Sequence, residues 1–112
     1  MKRLPRTFGC AVELSLELLG GKWKPIILAR LKDGPLHYGE LRRLIPSLSD
    51  KMLTERLADL QAVGLITALS EEDGGGYRLS ARGESLRPVL QALYDWGEAQ
   101  ASELRVAFRP PA

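Results

Sequence analysis

The stretch from residue 50 to residue 62 places polar side chains opposite an apolar stripe. Leu53, Leu57 and Leu60 recur at i, i+4 and i+7, which predicts a helix with these leucines facing inward. The residues that then face outward are Lys51, Thr54, Glu55 and Ala58. A lysine can bind a phosphate or a guanine edge, a threonine can contact a thymine methyl group or a phosphate, and an alanine permits close approach. This face therefore has the chemistry needed to contact the major groove of DNA.

Neighbouring polar residues extend this candidate surface. Ser49 directly precedes the helix and is a predicted N-cap. Arg42 and Arg43 fall on a preceding predicted helix, residues 39–45, and are expected to contact backbone phosphates. The alternative is that all these side chains are ordinary exposed residues of a small domain.

Two acids on the same predicted face, Glu55 and Asp59, oppose unspecific binding to phosphates. Glu55 suits DNA only if it accepts a hydrogen bond from a cytosine amino group, or if Arg56 or Lys51 holds it. The face therefore favours selection of a sequence over coating of DNA.

The surrounding elements must position this helix, and their order is that of a winged helix-turn-helix. Apolar periodicity predicts two earlier helices, one ending at Gly20 and one beginning near Trp23. Strands are predicted over residues 65–69 and 77–79, joined by a glycine-rich turn. Ser80 is then expected to cap one long final helix. The predicted fold class is mainly α with a small β-hairpin.

Length and composition exclude several function classes. The 112 residues suffice for one domain, and 16 Lys+Arg against 14 Asp+Glu leave a net charge of +2. No apolar run is long enough to span a membrane. A single cysteine, Cys10, and a single histidine, His37, argue against a disulfide framework, a structural zinc site and most catalytic triads. We expect no enzyme activity, no cofactor and a cytoplasmic location.

The basic charge is concentrated at the front of the chain. Residues 1–32 hold seven basic and two acidic residues, a net charge of +5, whereas residues 33–62 carry −1 and residues 63–112 carry −2. A positive front segment can strengthen contact with phosphates if a DNA-binding scaffold is present. Otherwise it is a solvated face.

Three motifs stand out in the sequence: Gly20-Gly21-Lys22-Trp23-Lys24, Tyr38-Gly39-Glu40-Leu41-Arg42-Arg43 and Ile45-Pro46-Ser47-Leu48-Ser49-Asp50-Lys51. Together they resemble the HxlR-type family of bacterial transcriptional regulators, over residues 10–97. The resemblance implies a homodimeric winged helix-turn-helix protein of the wider MarR-like group, which binds double-stranded operator DNA through the helix that follows Ser49. It divides the chain into a basic arm (1–9), a DNA-binding core (10–79) and a dimerisation helix (80–108).

The resemblance also implies that the first and last helices form the dimer interface. The alternative is a monomer that covers its final helix with its own first helix. The apolar residues that match the interface are Val12, Leu16, Leu19, Leu86, Leu90, Leu93 and Trp96.

The predicted wing departs from the family. Its tip, residues 71–76, carries three acids and no proline, which does not suit the electronegative minor groove. Arg78 on the returning strand is the remaining candidate for contact there, and affinity is expected to depend more on the basic front segment. The acidic wing and Glu55 favour a rival interpretation, a winged-helix protein–protein interaction module without DNA binding.

Cys10 aligns with an N-terminal cysteine through which several family members sense electrophiles or oxidants. Lys2, Arg3 and Arg6, with the start of the following helix, favour the reactive thiolate. Oxidation could join two Cys10 residues across a dimer or link Cys10 to a small thiol. The alternative is a buried structural cysteine at the dimer seam.

Overall fold

Helices and one antiparallel hairpin build the part of the chain that this computed structural model describes, residues 4–109. Their order and the short hairpin after α4 make the chain a winged helix-turn-helix, as predicted. The elements are α1 (Ala11–Leu19), α2 (Trp23–Leu31), α3 (Tyr38–Leu44), α4 (Asp50–Ala62), β1 (Ile66–Ala68), β2 (Tyr77–Leu79), α5 (Ala81–Glu84) and α6 (Arg87–Leu104).

Helix α2 lies at the centre and contacts α3, α4, α6 and β2. Its buried side chains, Ile27, Leu28 and Leu31, join those of the other elements in one core. The stripe predicted on α4 is confirmed, since Leu53, Leu57 and Leu60 are all buried there. Burial of this stripe fixes α4 against the rest of the domain and leaves its polar side in solvent.

Two helix ends are closed as predicted. The Gly20 N–H donates to the Leu16 carbonyl oxygen at 2.7 Å, and Gly20 has a φ of +43°. Gly64 follows α4 with a φ of +77°, a left-handed conformation that glycine adopts without steric cost. The chain can therefore turn sharply from α4 into the hairpin.

The hairpin pairs Ile66 with Leu79 and Ala68 with Tyr77. Leu36, just before α3, extends it by an isolated bridge to Tyr77, with N–H···O distances of 3.0 and 2.8 Å. This bridge ties the start of the helix-turn-helix to the base of the wing.

The predicted long C-terminal helix is present as the 18-residue α6, but its predicted start at Ser80 is wrong. The Ser80 hydroxyl caps only the short α5, accepting a hydrogen bond from the Gly83 N–H at 3.0 Å, and α6 begins at Arg87. Pro88 explains the break, because proline has no N–H and its ring would clash with the carbonyl group four residues earlier. No helix within residues 4–109 is long and apolar enough to cross a membrane.

Candidate nucleic-acid interface

Helix α4 presents the polar face that its periodicity predicts. Lys51, Thr54, Glu55 and Ala58 are all exposed. The Ser49 hydroxyl accepts a hydrogen bond from the Met52 N–H at 3.1 Å, so Ser49 caps this helix as predicted. The cap satisfies one of the free N–H groups at the helix start and fixes the direction in which α4 leaves the turn.

Arg42 is engaged within the chain. Its Nε lies 2.8 Å from Asp50 Oδ1, and its guanidinium also donates to the Leu48 carbonyl oxygen. These contacts join α3 to the first residue of α4 across the turn, so Arg42 holds the two helices together. Arg43, by contrast, is exposed on the same helix and has no ion pair within residues 4–109.

Tyr38 adds a second link between the two helices, which the sequence did not indicate. Its hydroxyl group donates to Asp50 Oδ1 at 2.8 Å and lies 3.4 Å from Thr54 Oγ1. The Asp50 carboxylate therefore accepts hydrogen bonds from both the Tyr38 hydroxyl group and the Arg42 guanidinium. The contact joins residues 12 positions apart, and no pattern in the sequence marks it.

Of the two acids predicted on the polar face of α4, one is neutralised by neighbouring cations. Asp59 Oδ2 lies 3.1 Å from Arg56 Nη1 and 3.9 Å from Lys24 Nζ. Arg56 is thus occupied by Asp59, and Glu55 has no ion pair in the described part of the chain. Glu55 is the acid left free to accept a hydrogen bond from a base.

The wing carries an exposed acidic tip. Glu71, Glu72 and Asp73 are exposed, and the Ser70 hydroxyl donates to Asp73 Oδ2 at 3.0 Å. Arg78 is also exposed, on β2. The tip therefore has its predicted negative charge, with one cation on the strand behind it.

The basic front segment is partly paired inside the fold. Lys24 faces Asp59, and Lys32 Nζ lies 3.6 Å from Asp33 Oδ1. Lys22 Nζ stands 4.5 Å from the ring centroid of Trp23, in cation–π geometry. Lys2 and Arg3 lie outside the described residues. Part of the +5 net charge of residues 1–32 is therefore neutralised within the fold and is not available to bind DNA phosphates.

A second surface, formed by α1 and α6, is apolar and open. We call it the α1–α6 face: Val12 and Leu16 on α1, with Val89, Leu93 and Trp96 on α6. Val12 and Leu16 are 65% exposed and Trp96 is 67% exposed. A groove of about 530 Å³ runs between the two helices, lined mostly by apolar side chains that include Leu16 and Leu93.

Some residues expected at a dimer interface lie elsewhere. Leu90 is 2% exposed and belongs to the core of the chain itself, and Leu86 is partly buried against that core. Leu19 also packs against the core, although it lines one end of the groove. The predicted interface residue Leu90 therefore has almost no exposed surface with which to contact a partner.

The chain is more extended than its length requires. Its radius of gyration is 14.8 Å, whereas a compact domain of this length has one of about 13 Å. None of the residues of helix α1 is buried, so this helix lies at the periphery of the fold. Its last residues, Leu18 and Leu19, pack against the core, whereas Val12 and Leu16 stay exposed.

Cys10 is exposed and occupies the N-cap position of α1 without a side-chain cap hydrogen bond. Glu13 in the first turn accepts a hydrogen bond from the Gly9 N–H at 2.9 Å. Within one chain the thiol is therefore accessible, at the edge of the α1–α6 face.

Comparison with known proteins agrees with this geometry. Residues 18–105 match the model of the HxlR-like helix-turn-helix family. The uncharacterized HTH-type transcriptional regulator YkvN of Bacillus subtilis is 38% identical over 101 residues, 88% of this chain and 86% of YkvN.

Among solved structures, the reduced form of the redox regulator HypR superposes with a TM-score of 0.77 at 32% identity, over 86% of this chain and 98% of HypR. The quinone-bound YodB of B. subtilis gives a TM-score of 0.68 at 32% identity, over 80% of this chain and 98% of YodB.

Proposed function

The chain belongs to the HxlR-like helix-turn-helix family of transcriptional regulators, which is not an enzyme family, and we propose that it binds a specific operator sequence as a homodimer. Helix α4 enters the major groove, where Lys51, Thr54, Glu55 and Ala58 meet base edges or phosphates. Arg43, at the end of α3, contacts the backbone. The protein acts on DNA in the bacterial cytoplasm.

The observation that carries this proposal is the way α4 is held. Ser49 caps its start, and Asp50 is bound by both Arg42 and Tyr38. A recognition helix must keep its side chains in register with the bases, and these contacts fix both its direction and its first turn. Arg42 and Arg56 therefore support α4 from within the chain, and Lys51 and Arg43 remain for DNA.

The α1–α6 face supports the homodimer. Monomeric soluble proteins rarely leave a large contiguous apolar patch in water, and this patch is continuous over two helices. A twofold dimer formed through this face would present two α4 helices, one from each chain. Such dimers contact half-sites about one helical turn of DNA apart.

A test of DNA binding measures affinity of the purified chain for the intergenic DNA upstream of its own gene at several salt concentrations. We expect log K to fall linearly with log salt, because bound phosphates release counterions. The rival function, a protein–protein interaction module, is favoured by the acidic wing tip. No binding even at low salt would support that rival, and equal affinity for an unrelated duplex of the same length would contradict a specific operator.

We further propose that Cys10 responds to oxidants or small electrophiles. Its exposure at the edge of the α1–α6 face supports this, as does the similarity to a redox regulator and to a quinone-bound regulator. In the oxidative form of the step, two Cys10 thiols lose two electrons and two protons to the oxidant and join in a disulfide across the dimer.

Operator binding with reduced and with diamide-treated protein tests this role. We expect oxidation to change the affinity of the unsubstituted chain and to leave that of the Cys10→Ser variant unchanged. Unchanged affinity after mass spectrometry has shown Cys10 to be modified would refute the role.

A further inference from the structure

We infer that Thr54 reads a thymine through its methyl group and that Tyr38 sets this orientation. The inference rests on the proposed DNA-binding function and refines it. A threonine on a recognition helix can offer either its hydroxyl group, to a phosphate, or its methyl group, to the 5-methyl group of thymine. The contacts around Tyr38 decide between the two.

A tyrosine hydroxyl group has a single hydrogen to donate. The two shorter contacts of this hydroxyl group are to acceptors of Asp50, Oδ1 at 2.8 Å and the carbonyl oxygen at 3.2 Å. Neither can donate, so the hydrogen goes to Asp50, and the shorter distance favours Oδ1. At the 3.4 Å contact with Thr54 Oγ1, the tyrosine oxygen is therefore the acceptor and the threonine hydroxyl the donor. The Thr54 hydroxyl is directed back into the protein, toward the start of α4.

This contact has a consequence for the exposed end of the side chain. Threonine in a helix divides between two χ1 rotamers, and the Tyr38 oxygen favours the one that turns Oγ1 toward it. In that rotamer the γ-methyl group points in a different staggered direction from Oγ1, away from the Tyr38 oxygen. Because Thr54 is exposed on the proposed DNA-facing side of α4, that methyl group is available for an apolar contact with a base.

The Asp50 carboxylate holds the Tyr38 hydroxyl group in its orientation. This carboxylate is fixed by Arg42 Nε at 2.8 Å, so the acceptor that orients the Tyr38 hydroxyl is itself held. Thr54 is thus the specificity-determining residue, and Tyr38 is a positioning residue that acts through it.

The test uses the purified full chain and an operator selected by that chain from a random duplex pool. Each thymine is replaced in turn by deoxyuridine, which removes only the 5-methyl group. For the unsubstituted chain we expect one thymine per half-site at which Kd rises roughly fourfold, the size expected for loss of one buried methyl group.

Variants then assign that thymine to Thr54. Thr54→Ser keeps the hydroxyl group and should lose the deoxyuridine effect, whereas Thr54→Val keeps a methyl group at the same place and should retain it. Tyr38→Phe should weaken the effect, because the second rotamer of Thr54 becomes accessible. Thr67→Ser, the same chemical change on exposed β1, is the matched control and should behave as the unsubstituted chain.

Several results would overturn the inference. An undiminished deoxyuridine effect in Thr54→Ser would place the methyl contact on another residue. Loss of affinity in Thr54→Val with normal binding by Thr54→Ser would show that the hydroxyl group binds DNA. If the chain selects no sequence from the pool, the DNA-binding proposal fails, and this inference fails with it. Circular dichroism of each variant confirms that the fold is retained.

Discussion

Helices α4 and α6 carry apolar stripes of similar spacing, yet the two stripes have different surroundings. On α4, Leu53 and Leu57 are buried in the domain's own core. On α6, Leu93 and Trp96 are more than half exposed, and the groove beside them continues onto α1. A single chain buries the α4 stripe in its own core, but it leaves Leu93 and Trp96 of the α6 stripe exposed.

The polar contacts of the two helices also differ. Around α4, ionic contacts tie polar groups into the fold, as in the pairing of Asp50 with Arg42 and of Asp59 with Arg56. On α6, the polar contacts are local and on the surface: a hydrogen bond to Glu84 raises the pKa of Arg87, and one to Glu98 raises the pKa of Tyr94. We infer that α4 is built to be rigid before it binds, whereas the α1–α6 face is completed by a partner.

The largest expected effect is a loss of stability, and it should differ in kind between two leucines from these stripes. Leu57→Ala should lower the free energy of unfolding by about 2–5 kcal/mol at every protein concentration, because it leaves a cavity in the core. Leu93→Ala should lower stability only to the extent that it weakens association, so its effect should depend on protein concentration. Urea unfolding at two concentrations measures both. Equal, concentration-independent losses would place the α6 stripe in the monomer core.

The next effect concerns association alone. Trp96→Ala should weaken dimerisation by about 2 kcal/mol or more, as truncation of an aromatic anchor does in other interfaces. Sedimentation equilibrium gives the dissociation constant. Tyr94→Ala is the matched control, because Tyr94 is an exposed aromatic residue on another side of the same helix. If the two variants associate equally well, the proposed dimer does not use this stripe.

A smaller effect separates the two surfaces by function. Lys51→Ala should weaken specific binding by about 1–3 kcal/mol if Lys51 contacts a base, and should leave dimerisation unchanged. Arg87→Ala, in which the lost cation pairs with Glu84 at the start of α6, is the control. Fluorescence anisotropy with labelled operator measures the loss. Normal binding by a folded Lys51→Ala variant would move the recognition site elsewhere.

The smallest effect tests the wing. The acidic tip lies off the DNA in this account, so Glu72→Gln should change affinity by about twofold or less, since salt screens charges beyond about 8–10 Å. The same anisotropy assay applies. A larger gain would show that the tip sits close to the phosphate backbone and weakens binding there.

The sequence predicted most of the fold because its helices and turns have local signals. The α4 stripe, the Ser49 cap and the glycine after α4 all depend on nearest neighbours. The break before α6 also had a local signal, Pro88, but the apolar periodicity across it outweighed that signal in the prediction.

The unpredicted parts depend on tertiary contact. Periodicity identifies an apolar stripe but not what covers it, so the buried Leu90 and the open Trp96 looked alike. Likewise, Arg42 and Arg56 have the residue type of phosphate contacts, and only the fold brings Asp50 and Asp59 to them. The Tyr38–Thr54 contact needs the angle between α3 and α4, which no local pattern sets.

A footprint of the unsubstituted chain on its own upstream DNA tests the central claim most directly. We predict two protected half-sites, about 34–36 Å apart on one face of the duplex, and loss of both in Lys51→Ala. A single protected site bound by one chain, or protection that Lys51→Ala leaves unchanged, would contradict a dimer that reads DNA through α4.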